Sequence, residues 1–114
     1  YFNTTLLFCS TLRRSEYRNE KGKLSGELFD APPWIIEILS EGQSQTRVAK
    51  KILYSLERGT QLGWLIDPEE DCVFIYTKDL RATLHEKAEQ QLPVPEFAKD
   101  FQITVGELVG WLYE

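Results

Sequence analysis

Apolar positions along the chain fall into short blocks, and the spacing within a block distinguishes strand from helix. TTLLF (Thr4 to Phe8) predicts a short strand. In PPWIIEILS (Pro32 to Ser40), Trp34, Ile36 and Ile38 alternate with Ile35, Glu37 and Leu39, so both faces of the strand Trp34–Leu39 are apolar and covered. The spacing then widens. Val48, Ala49, Ile52, Leu53 and Leu56 make one stripe of a helix across Thr46–Arg58, with Ser44 or Thr46 able to cap its start and Gly59 able to end it. LGWLI (Leu62 to Ile66) is a second apolar strand. Strand, helix and strand within about 33 residues predict a βαβ unit, with parallel strands and a right-handed crossover.

Beyond it, DPEED (Asp67 to Asp71) reads as a turn and CVFIY (Cys72 to Tyr76) as a strand returning antiparallel. LRATLHE (Leu80 to Glu86) predicts a further strand at the sheet edge. The prolines of QQLPVPEF, Pro93 and Pro95, exclude regular structure there. In the C-terminal ITVGELVGWLYE, Thr104 and Glu107 have capping-box spacing, and Val105, Leu108, Val109 and Leu112 form a helical stripe. The polar, glycine-containing stretch SEYRNEKGKLSG lies in a long connection between the first two strands. The fold class is α/β: a mixed sheet with a βαβ crossover and a C-terminal helix, in one domain spanning residues 1–114.

Composition removes several function classes. The chain is 42% hydrophobic and 12% aromatic, which predicts an ordered globular protein. No apolar run reaches the length needed to cross a bilayer and no leader pattern opens the chain, so a cytoplasmic protein without a membrane partner is expected. Net charge is −5, which argues against nucleic-acid binding through a broad basic surface and leaves room for an acidic metal-dependent nuclease. Cys9 and Cys72 lie far apart in apolar stretches and read as reduced core residues. His85 is the only histidine, which leaves no zinc site and no Cys/His pair. No strand is followed by a glycine-rich phosphate loop.

The candidate chemistry is Glu37, a carboxylate within an apolar strand. A buried charge is costly unless it is paired, hydrogen-bonded or metal-bound. A structural ion pair and a functional carboxylate are equally good readings from the residue alone. Asp67 precedes Pro68 at a strand end and reads as a turn residue. Trp34, Trp64 and Trp111 could stack on bases, but their apolar surroundings place them in the core.

PPWIIEILS, the helix carrying KKILYSLERG, and LGWLIDPEEDCVFIY together resemble the Uma-two family of bacterial restriction-endonuclease-like proteins with the PD-(D/E)XK nuclease fold. The tail LPVPEF…ITVGELVGWL is similar too, so the resemblance covers roughly Ala31 to Tyr113. It implies a restriction-endonuclease-like sheet lacking the N-terminal part of the family fold, and metal-dependent hydrolysis of DNA phosphodiesters. Glu37 would be the catalytic and metal-binding carboxylate and Mg²⁺ the cofactor, with DNA as partner and a homodimer as a compatible state. Leu39 stands where such nucleases often carry a lysine, and the resemblance moves that role to the following helix, to Lys51 by distance from Gly59 or to Lys50. Both lie about 130° from the centre of the apolar stripe, so helical geometry does not choose between them.

The chain departs from the family pattern at the second carboxylate. The family's first-strand aspartate falls at Thr4 or nearby, and a neutral hydroxyl is a poor substitute for it. Pro33 stands where another aspartate precedes the Glu strand, with Asp30 and Glu27 close in sequence. The expected function is therefore a Uma-two-type nuclease domain with hydrolysis weakened or lost. The alternative is a non-catalytic structural or protein-interaction domain in which Glu37 is a buried paired charge.

Overall fold

Five strands form one sheet in the computed structural model, which describes residues 4–8 and 31–113. They are β1 (Thr4–Phe8), β2 (Trp34–Ile38), β3 (Leu62–Asp67), β4 (Cys72–Thr77) and β5 (Ala82–His85), neighbours in that order. β2 and β3 are parallel and joined by helix α1 (Gln45–Glu57), while the other neighbours are antiparallel. This is the expected βαβ unit within a mixed sheet. The connection after β1, with Cys9, Glu27 and Asp30, lies outside the described residues.

The local signals explain the element ends. Ser44 Oγ accepts from Arg47 N at 3.2 Å and caps α1. Gly59 leaves the helix at φ +118, a left-handed conformation that favours glycine. The last turn is closed inside the protein: Ser55 and Thr60 share a buried side-chain hydrogen bond, and Thr60 N donates to Ser55 O. β5 is shorter than Leu80–Glu86 because Leu80 sits at φ 64 in the preceding turn, donating its N–H to Thr77 O.

Each face of the sheet carries a core. On one, Ile35, Leu65 and Tyr76 pack with Val48, Ile52 and Leu56 of α1. On the other, Trp34, Ile36, Trp64 and Ile75 pack with Leu92, Ile103, Val105 and Leu108 from the C-terminal segment. Trp34 meets Trp64 edge to face, with centroids 5.0 Å apart at 73°, and Trp64 Nε1 donates to Pro93 O at 2.9 Å. Two details differ from expectation. Pro95 opens a single 3₁₀ turn over Glu96–Ala98, since its fixed φ of −66 suits the start of a helical turn. Trp111, expected in the core, is 57% exposed: in helix α2 (Val105–Leu112) it lies off the stripe of Val105 and Leu108 and forms the outer lip of an apolar cavity of about 370 Å³.

Candidate functional site

β2 is paired on both sides, so its side chains project only above and below the sheet. Glu37 follows Ile35 onto the α1 face. Its register partners are Leu65 on β3 and Thr5 on β1. The carboxylate is fully buried, at 0% exposure.

α1 supplies the counter-charge. Lys51 Nζ lies 3.5 Å from Glu37 Oε1, and the lysine side chain is 46% exposed. Val48 and Ile52 face the sheet on either side of it in sequence, so Lys51 reaches the carboxylate from the flank of a helix fixed by its apolar stripe. Lys50, which helical periodicity left equal to Lys51, lies on the exposed surface. The structure thus brings together Glu37 and Lys51.

Three further features set this geometry, and the sequence reading did not single them out. Gln43 ties down the β2–α1 turn: Ser40 N donates to Gln43 Oε1 at 2.9 Å, while Gln43 N donates to Ser40 O at 3.0 Å. Gly63 lets α1 approach the sheet, since a Cβ there would stand 2.5 Å from Ile52 Cγ2. A glycine within an apolar strand is the signal for such close approach. The third is the β1 register. Thr5 stands opposite Glu37, and Thr4 stands opposite Ile38.

Asp67 ends β3 and its Oδ1 accepts from Glu70 N at 3.3 Å, the turn role its sequence predicted. The apolar cavity lies on the opposite face of the sheet from Glu37, and among the described residues its lining carries no charged side chain.

Among the described residues the donor set does not fit a magnesium site. Among the described residues no three His, Cys, Asp or Glu side chains converge, and an ammonium already stands on Glu37. Mg²⁺ needs hard oxygen ligands in a near-octahedral arrangement. No step through a metal is therefore assigned to these residues.

A mixed sheet with a covered parallel pair, and a carboxylate and a lysine meeting under its crossover helix, define a restriction-endonuclease-like α/β domain. The comparisons agree. Residues 7–106 match the Uma2 family, described as "Putative restriction endonuclease", and the chain belongs to that family. It is similar to the crystal structure of "a putative nuclease belonging to DUF820" from Anabaena variabilis ATCC 29413, with 42% identity and a TM-score of 0.72. That match covers 86% of this chain and 55% of the other, so the chain spans about half the length of the solved relative. No curated protein matches the chain.

Proposed function

We propose that residues 1–114 form a nuclease-like domain acting on DNA in the cytoplasm, as monomer or homodimer, with phosphodiester hydrolysis weakened or lost. The observation that carries this reading is the Glu37–Lys51 contact. One buried carboxylate holds one lysine whose side chain remains 46% exposed. Lys51 can meet a backbone phosphate as a point charge, while Glu37 keeps the ammonium in place. A contact through a single lysine gives weak, salt-sensitive DNA binding. The weakness of hydrolysis follows from charge: Glu37 stands across from Thr5, and among the described residues no group of three metal-ligating side chains forms to hold Mg²⁺.

Plasmid nicking with Mg²⁺ and with Mn²⁺ tests this reading. The unmodified chain is expected to nick slowly or not at all, with any nicking lost in Glu37→Ala and reduced in Lys51→Ala. Robust nicking that survives Glu37→Ala overturns it.

The full burial of Glu37 favours a second reading, a non-catalytic structural or protein-interaction domain in which Glu37 and Lys51 are a structural ion pair. DNA binding separates the two. Retention of a short duplex that weakens in Lys51→Gln supports the first, and no Lys51-dependent binding at low salt supports the second.

A further inference from the structure

On the proposed reading of a DNA-binding domain, we infer that the outward face of α1 is the surface on which a duplex seats its phosphate backbone, with Arg47, Lys50 and Arg58 extending the contact that Lys51 begins. Opposite the apolar stripe that holds α1 to the sheet, Arg47, Tyr54 and Arg58 follow one another at i, i+7 and i+11, with Lys50 and Lys51 on either side. All five are exposed. Charge is segregated onto this helix. Residues 45–58 hold four cations and one acid, Glu57, a net +3 in a chain of net −5, which leaves −8 on the rest. A polyanion is drawn toward such a helix. The stripe is not arranged for the stability of the helix itself. Arg47 stands in the first turn, where the dipole favours anions and where α1 has no acidic residue. It also stands i, i+3 from Lys50 and i, i+4 from Lys51, spacings at which like charges repel. A row of phosphates relieves both effects. At the other end of the stripe Arg58 is already oriented: its guanidinium lies 3.3 Å from the centroid of the Tyr54 ring, and Nη1 donates to Tyr54 O at 3.1 Å. A guanidinium fixed in this way loses less freedom on meeting a phosphate. Arg47 and Arg58 are about 16 Å apart along the helix axis, the reach of several phosphates of one strand, which repeat every ~3.4 Å along a duplex.

Fluorescence anisotropy of a labelled duplex, read over a series of salt concentrations, tests this on the full chain, Arg47→Gln, Arg58→Gln, the double variant, Lys51→Gln and Lys99→Gln. Lys99, whose side chain is 70% exposed in the C-terminal segment, controls for the loss of one positive charge. The unmodified chain is expected to bind with a log–log salt slope of about −3, the value for three to four phosphate contacts. Each arginine variant is expected to bind about threefold or more weakly and to flatten the slope by about one, and the double variant by about two. Arg58→Lys keeps the charge and is expected to restore the slope, which a purely structural role of the stacked guanidinium would not do. Arg58 also closes the end of α1, so Arg47→Gln carries the test if circular dichroism shows Arg58→Gln misfolded. Arginine-dependent binding that Lys51→Gln leaves unchanged supports this surface and sinks the role given to Lys51. Arginine variants that keep the parent slope while Lys51→Gln loses affinity overturn the inference and leave the DNA reading standing. No duplex binding at low salt overturns both. A slope change in Lys99→Gln equal to that of the arginine variants reduces the attraction to net charge and overturns the inference, as does tighter binding of polyglutamate than of duplex, which would make the partner an acidic polypeptide.

Discussion

Ile52 of α1 rests directly over Gly63 of β3, at a distance that leaves no room for a Cβ on the strand. The residue before Ile52 is Lys51, so the height of α1 above the sheet sets how far the ammonium must reach to meet Glu37. Gly63→Ala is expected to lift the helix and to destabilise by about 1–3 kcal/mol, the usual cost of overpacking a filled core. Urea denaturation measures it. An unchanged midpoint would show that the helix gives way freely at this contact.

Removing the two members of the ion pair is expected to have unequal effects. Lys51→Ala leaves a buried carboxylate without its ammonium and should cost about 2 kcal/mol, below the ~3–5 kcal/mol of a fully enclosed pair because Lys51 is 46% exposed. Glu37→Gln leaves Lys51 able to turn to solvent and should cost about 1 kcal/mol or less. Lys50→Ala, on the exposed surface, should fall within ~0.5 kcal/mol of the parent. Equal costs for Lys50→Ala and Lys51→Ala in chemical denaturation would remove the pair from the account.

The β1 register makes a positional forecast. Thr5→Asp places a carboxylate opposite Glu37, whereas Thr4→Asp places one opposite Ile38. Nicking with Mn²⁺ should rise about tenfold or more in Thr5→Asp, stay flat in Thr4→Asp, and fall back when Glu37→Ala is added to Thr5→Asp. A gain confined to Thr4→Asp would mean that the strand is shifted by one residue.

Stability should decline on the alkaline side. Burial pushes the Cys72 thiol above its ordinary range, and the charges of Asp67, Glu86, Glu70 and Asp71 add to the shift. Burial likewise raises the Tyr76 phenol. Raised folded values favour the neutral groups, so this stability is complete below the unfolded thiol pKa of about 8.5 and is lost as pH rises through the folded pKa. Denaturation midpoints should be level from about pH 7 to 8 and fall above about 8.5. Cys72→Ala should flatten the first part of that fall and Tyr76→Phe the later part. A slope that neither substitution changes would place its origin in other groups.

Much of the architecture was legible because it rests on local signals. The period change from β2 to α1, the Ser44 cap and the Thr104–Glu107 capping box each act within a few residues, and each stands where the sequence placed it. Glu37 was visible as a charge in an apolar strand. Helical geometry did not choose between Lys50 and Lys51, since both lie equally far from the stripe; the family resemblance pointed to Lys51 by its distance from Gly59, and the seating of α1 over Gly63 brings Lys51 to the carboxylate. The exposure of Trp111 was hidden for a related reason. A tryptophan in an apolar sequence can lie at the rim of a cavity as readily as in its floor, and helix rotation against a distant sheet determines which.

The crossover unit that holds Glu37 and Lys51 also bears on when the pair forms during folding. Both residues lie between the start of β2 and the end of β3, so their meeting needs neither β1 nor the C-terminal segment. Contacts closed over short stretches of chain lose little loop entropy and form early relative to distant pairings. The pair thus belongs to the folding unit built from one helix and its two flanking strands. Native-state hydrogen exchange should show the amides of β2, α1 and β3 opening together, and weakening of the C-terminal packing should leave that unit's protection largely in place.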